Sequence, residues 1–173
     1  MMLHGSLLDV HCVGTLLLGP SGIGKSECAL ELLSRGHRLV ADDVLEVRCS
    51  EDGRLVGTAP ERIRFFMEIR GLGIVSVPDL FGRDAVCEAM EVDLVCRLVK
   101  WREGLEYERV GLDRLHEELD GVSLPTLTLP ARPGSSMATV VEVAAKEHLR
   151  RSQGVVAARN LDERVRREMM HRD

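Results

Sequence analysis

Apolar residues arrive in short runs separated by glycines and charged turns, and the period of those runs changes along the chain. Residues 4–11 and 13–18 read as two strands turning about Gly14, with Leu3, Gly5, Leu7 and Asp9 set against His4, Ser6, Leu8 and Val10. The run VGTLLLG (13–19) is a buried strand that leads straight into a glycine-rich turn. A helix is predicted over Lys25–Arg35, where Ala29, Leu30 and Leu33 share a face and Gly36 supplies the stop. HRLVADD (37–43) is a strand that ends in two acids. VLEVRCS (44–50) and RLVGTA (54–59) form a hairpin about the turn EDG. ERIRFFMEIR (61–70) fits either a short helix or a strand. RGLGIVSVPDLFG (70–82) reads as a glycine-punctuated loop with a short helix at Pro78. Strands follow at 92–101 and 122–129, separated by a polar, flexible excursion, REGLEYERVGLD (102–113). A proline-marked loop comes next, and then helices at 137–150 and 159–171. In the second helix Leu161, Val165 and Met169 recur at four-residue spacing among arginines, an amphipathic face that packs on its own domain or on a neighbouring subunit. There is no internal repeat, low-complexity tract or linker, so 173 residues suit one α/β domain.

Composition narrows the function. Aromatic residues make up 3% of the chain, so the core is aliphatic and stacking platforms for single-stranded nucleic acid are not expected. A formal net charge of -5 argues against a general nucleic-acid binder. The five cysteines are scattered and form no C-x-x-C pair, which points to packing roles in a reducing cytoplasm rather than to a zinc or disulfide framework. No apolar run approaches the roughly 20 residues of a membrane helix. The first residues also lack the basic and apolar regions of a signal peptide.

The chemistry begins at Gly19-Pro20-Ser21-Gly22-Ile23-Gly24-Lys25-Ser26, which fits G-x-x-x-x-G-K-[ST] at every constrained position, between an apolar strand and an amphipathic helix. The glycines let successive backbone N–H groups turn inward, and the helix N-terminus adds partial positive charge. Lys25, one of only three lysines, can reach β- and γ-phosphates, and the Ser26 hydroxyl can ligate Mg²⁺. Asp42 and Asp43 end the next strand, where neighbouring side chains point to opposite sides. One carboxylate then faces the metal, and the other faces an acceptor hydroxyl whose proton it can take. His4 lies on the strand paired with the one feeding the loop and is either structural or placed to bias the acid. Glu68 and Arg70 flank Ile69 ahead of Gly71 and Gly73, and could contact metal and phosphate or form a salt-bridged bend. Arg109 and Arg132 sit in polar or proline-rich loops as candidate phosphate ligands or solvated residues.

HGSLLDV, GPSGIGKS, GHRLVADDVLEVR, EIRGLGIVSV, YERVGLD and PARPG occur in an order and spacing that resemble the catalytic domain of the HPr kinase/phosphorylase family over roughly residues 3–150. The phosphate loop alone is common to many families; ADD followed by EIRGLGI is far more specific. The resemblance implies an α/β phosphate-loop kinase fold of the phosphoenolpyruvate carboxykinase-like type, a mixed sheet with flanking helices. Residues 1–150 would be the ATP-binding catalytic domain and 151–173 a helical extension.

It also implies an enzyme that phosphorylates a serine of the phosphocarrier HPr with ATP and Mg²⁺. In reverse, it removes that phosphate with inorganic phosphate to give pyrophosphate. Matched by position, Gly19 to Ser26 bind ATP, and Ser26 and Glu68 hold the metal. Asp43 is base and acid with Asp42 beside it, and His4, Lys25 and Arg109 are the other active positions. Glu68 to Val77 corresponds to a segment needed for both activities, and Pro130 to Ser135, including Arg132 and Gly134, to a loop needed for dephosphorylation. Members are typically cytoplasmic hexamers. Many carry a separate domain before the HG strand, at which this sequence begins, and many have arginine where this chain has Ser135. The rival readings are a kinase of the same machinery with another acceptor and a nucleotide-binding regulatory module with little turnover.

Overall fold

The continuous apolar runs become strands covered on both faces, which is why they show little alternation. The computed structural model describes residues 1–170. In chain order these form β1 (Met2–His4), β2 (Ser6–Val10), β3 (Val13–Leu18), α1 (Lys25–Ser34), β4 (Arg38–Ala41), β5 (Val44–Cys49) and β6 (Leu55–Thr58). There follow β7 (Phe66–Ile69), β8 (Gly73–Ser76), α2 (Val77–Phe81), β9 (Ala89–Glu91), β10 (Leu94–Lys100), β11 (Leu115–Leu119), β12 (Val122–Ala131), α3 (Met137–Ser152) and α4 (Ala157–Met170).

The result is a mixed α/β architecture in three layers. A central six-stranded sheet has the order β11-β12-β10-β3-β2-β4. Its β3, β10 and β12 run parallel, while β2 is antiparallel to both β3 and β4. A second, antiparallel sheet has the order β1-β5-β6-β9, and β7 and β8 form a separate hairpin. Alternate residues of the central strands serve two cores. Leu8, Leu17, Leu39 and Leu94 pack with Ala29 and Leu32 of α1 and Val141 and Ala145 of α3. Leu7, Leu16, Val40 and Val95 pack with Leu45, Val47 and Leu55 of the second sheet.

Several expectations change. The β2–β3 hairpin turns at His11 and Cys12, both left-handed (φ 54° and 64°), not at Gly14, which is already inside β3. Two consecutive positive φ values give the turn whose twist matches the strands. Residues 61–70 split into a short 3₁₀ turn (Glu61–Ile63) and β7, and much of the predicted loop after them is β8. The unpredicted strand β11 owes its form to pairing with β12, because LHEEL has little alternation of its own.

The excursion at 102–113 has no regular element but is anchored. Arg151 of α3 donates to the carbonyls of Gly111 and Leu112, and Arg114 pairs with Glu147. Of the cysteines, only Cys28 and Cys96 are buried, with thiols pushed up to about 12 by burial. Cys12 and Cys49 are exposed and do not pack. On α4, Leu161, Val165 and Met169 face solvent, so this helix does not pack its apolar stripe on its own domain. The predicted end of that helix at residue 171 lies outside the described residues. No helix among the described residues is long and apolar enough to cross a membrane.

Candidate active site

The topology gathers one end of the central sheet. β3, β10 and β12 all point their C-terminal ends the same way, and the phosphate loop leaves β3 there. Ligands of open α/β sheets collect at such ends. Because β2 runs antiparallel between β3 and β4, its first residue, Ser6, lies beside the ends of both. The two neighbours of β2 are about 10 Å apart at ordinary strand spacing. That separation leaves room for a phosphoryl group between the loop after β3 and the acids after β4.

The loop is built as its residue types demand. Gly19 (φ 149°) approaches β10 so closely that a Cβ would lie 2.5 Å from the Leu98 carbonyl oxygen. Gly24 caps α1 in a left-handed conformation (φ 106°), which starts the helix at Lys25 with no side-chain cap. The ammonium of Lys25 donates to the carbonyls of Gly19 (2.8 Å) and Pro20 (3.1 Å), so it is folded back over the loop. The first-turn N–H groups and the helix dipole face the same space.

The two aspartates have opposite environments, but strand alternation does not separate them. β4 ends at Ala41, and Asp43 adopts a left-handed conformation (φ 66°) that turns the chain into β5 of the other sheet. Asp42 is buried and accepts a 2.6 Å hydrogen bond from the Ser6 hydroxyl. Burial pushes its carboxyl above the usual range, while hydrogen bonds from Ser6 and Ser26 hold part of that rise back. Asp43 is exposed, and its carbonyl accepts from the Gly5 N–H at 3.0 Å. This bond fixes the joint where the chain passes from β1 to β2. His4, at the end of β1, is paired in register with Val44, which sets it next to Asp43.

These parts line one cleft of about 570 Å³. Its walls are Gly19, Ser21, Gly22, Gly24, Lys25 and Ser26 of the loop, with His4, Asp42 and Asp43 opposite. Glu68 and Arg70, from β7 and the tip of its hairpin, complete it. Arg70 reaches over the loop: a Cβ on Gly22 would be 3.5 Å from its Nη2. Gly71 and Gly73 are exposed left-handed residues that make the tip of that hairpin and do not line the cleft.

Pro20, Arg109 and Gly134 are likewise outside the lining. Arg109 is exposed in the 102–113 segment. Ile23 and Arg132 line a second cleft of about 410 Å³ that shares Gly22, Gly24 and Glu27 with the first and adds Lys100 and Ser135. There the Arg132 guanidinium lies 5.2 Å from the Trp101 ring centroid, and Trp101 stacks on Tyr107 at 5.1 Å. Three site residues had not been singled out. Ser6 lies within HGSLLDV, but nothing in its residue type or spacing marked it as part of the site. Glu27 follows the loop motif directly, and Lys100 is one of the three lysines.

The chain as a whole resembles known proteins. Residues 1–165 match the family described as "HPr Serine kinase C-terminal domain". The chain is 49% identical over 166 residues to an HPr kinase/phosphorylase of Caldicellulosiruptor bescii, covering 96% of this chain and 53% of that protein. It is 47% identical over 163 residues to one of Geobacter sulfurreducens, covering 94% and 51%. Among solved structures, the Hpr(Ser) kinase/phosphatase from Coxiella burnetii superposes with a TM-score of 0.81 at 35% identity, covering 89% of this chain and 93% of that one. The chain spans about half the length of the curated relatives it matches. With family model, sequence identity and overall superposition in agreement, the chain belongs to the HPr serine kinase C-terminal domain family.

Proposed function

We propose that this chain is the catalytic unit of an ATP- and Mg²⁺-dependent serine kinase acting on HPr, with a phosphate-loop fold of the phosphoenolpyruvate carboxykinase-like type. The same site would phosphorolyse phosphoserine-HPr with inorganic phosphate to give pyrophosphate. Residues 1–150 would carry the chemistry and 151–173 an extension, in a cytoplasmic homo-oligomer, a hexamer as in the family. The observation that carries this reading is the convergence of the phosphate loop, Asp42, Asp43 and His4 on one cleft from separate elements. A nucleotide-binding module with little turnover has no need of a carboxylate facing the loop.

The donor set fits the group the reading requires. The Ser26 hydroxyl and the carboxylates of Glu68 and Asp42 are hard oxygen donors grouped at the mouth of the loop, the chemistry Mg²⁺ selects. Ser26 and Glu68 would hold the ion, which when bound supplies positive charge against the phosphate oxygens. Backbone N–H groups of Gly22 to Lys25 and the Lys25 ammonium orient the phosphates. Asp43, exposed and facing the loop, takes the proton of the serine hydroxyl as its oxygen bonds to the γ-phosphorus and ADP leaves. In reverse, protonated Asp43 returns that proton to the serine oxygen as phosphate attacks phosphoserine and pyrophosphate forms. His4 borders Asp43, while Asp42 orients Ser26. Arg70 and Arg109 would bind phosphate oxygens. Gly71 and Gly73 let the hairpin tip bend toward HPr, and Arg132 and Gly134 belong to the loop serving dephosphorylation.

The test is to incubate the protein with γ-labelled ATP, Mg²⁺ and HPr, and then add inorganic phosphate. Label is expected on a serine of HPr, followed by its loss with release of labelled pyrophosphate. Label on another acceptor with none on HPr, or ATP binding without any transfer, would overturn the assignment.

A further inference from the structure

A second cluster of chemistry-bearing side chains lies at the other end of α1, away from the phosphate loop. We propose that His11, His37 and Glu142 form a binding site for a divalent transition-metal ion of the zinc class.

Three separate elements deliver these residues. His11 is in the β2–β3 turn, His37 follows α1, and Glu142 is on α3. Their ligand atoms all lie within 4.8 Å of one another. His11 Nε2 is 2.9 Å and His37 Nε2 is 3.2 Å from the same oxygen, Glu142 Oε1. Four-coordinate zinc with bonds of about 2.0 Å wants ligand atoms about 3.3 Å apart, so the spacing is close to what an ion requires. The two rings meet edge to face, 4.6 Å between centroids at 77°.

The positions are held from outside. His11 is held in the left-handed turn (φ 54°), and the His37 N–H bonds the Leu32 carbonyl at 3.1 Å. Arg35 donates to the other oxygen, Glu142 Oε2, at 2.9 Å and leaves Oε1 for the histidines. A metal ion takes the place of the Nε2 protons. A neutral ring moves its proton to Nδ1, and a charged ring releases one to solvent.

The chemistry also selects the ion. Arg35 and, at 3.8 Å, Lys146 place positive charge beside the carboxylate, which weakens binding of ions held by charge alone. Two imidazole nitrogens favour zinc, nickel or copper over Mg²⁺ and Ca²⁺. Three protein ligands leave a position for water. An ion here would tie the β2–β3 turn, the end of α1 and α3 into one unit.

The experiment is zinc titration of untagged protein in excess Mg²⁺, read by competition with a chromophoric chelator and by thermal unfolding. One zinc ion per chain is expected, with a raised Tm. His11→Asn, which suits the left-handed turn, and Glu142→Gln should each weaken binding about tenfold or more and remove the Tm gain. Glu68→Gln and Cys12→Ser should leave both unchanged. No zinc binding with a Kd below roughly 100 µM, a binding free energy of about −5.5 kcal/mol, would overturn the proposal. So would binding indifferent to His11→Asn, or binding lost with Glu68 or Cys12 instead. Should Glu142→Gln unfold the chain, the His11 variant decides alone.

Discussion

The Ser6 hydroxyl donates to Asp42 Oδ1 at 2.6 Å, joining the first residue of β2 to the residue just beyond β4. Both are buried, and Asp42 is a carboxylate that burial alone would push toward its neutral form. Ser6 thus offsets part of the rise that burial imposes on Asp42 beside Ser26. Ser6→Ala removes a donor from a buried acceptor and is expected to cost about 1–3 kcal/mol. It should also raise the Asp42 pKa further, so the acidic limb of the kinase pH profile moves to higher pH. Urea unfolding and a pH–rate profile check the two effects; unchanged values in both would show that Ser6 does not support Asp42.

Asp43 carries the proton in the proposed reaction and sits at φ 66°, a conformation asparagine shares readily. Asp43→Asn therefore keeps the backbone and removes the base. Transfer to HPr should fall about 100-fold to 10,000-fold, the usual worth of a general base. ATP affinity, measured by fluorescence titration, should change little. Undiminished transfer would remove Asp43 from that role.

Gly19 combines a positive φ with a carbonyl oxygen 2.5 Å from where a Cβ would be. Gly19→Ala should move the phosphate loop off β10 and destabilise the chain by about 1–3 kcal/mol. ATP binding should weaken more than in core variants that lower Tm by the same amount. Calorimetry of unfolding and ATP titration on one sample give both numbers.

Asp93 exchanges two hydrogen bonds with Gly14: its Oδ2 accepts from the Gly14 N–H at 2.7 Å, and its own N–H donates to the Gly14 carbonyl at 2.8 Å. Burial, the largest influence, raises its carboxyl pKa, and the Gly14 N–H offsets only part. A folded pKa above the unfolded one means the acid's contribution is whole below the unfolded value, near 3.9, and is lost as pH rises through the folded value. Wild type should therefore lose stability relative to Asp93→Asn across that interval. Urea midpoints of both proteins at successive pH values test this, and a difference independent of pH would contradict it.

Much of this was legible in the chain. The apolar runs announced the buried strands, and the loop motif and Asp42-Asp43 announced the cleft, because their spacing reflects local geometry. What escaped depends on distant partners. Ser6 looks like any small strand residue until β4 is laid beside β2. β11 is a strand because β12 offers it an edge. Gly14 looked like the turn because glycine often is one, yet the hairpin turns at His11 and Cys12, neither of which is a glycine. The aspartates were expected to point to opposite sides by strand alternation; instead both line one cleft, Asp42 buried and Asp43 exposed, with a sharp backbone turn at Asp43.

That turn at Asp43, bonded to Gly5, is also where the chain changes sheets. The phosphate loop, Ser6 and Asp42 are built on the central sheet, whereas His4 and Asp43 border the second one. In the proposed reaction, donor handling and acceptor handling would thus rest on different layers joined at two adjacent crossings. A lineage could remodel the second layer, and with it the choice of acceptor, while inheriting the cradle intact.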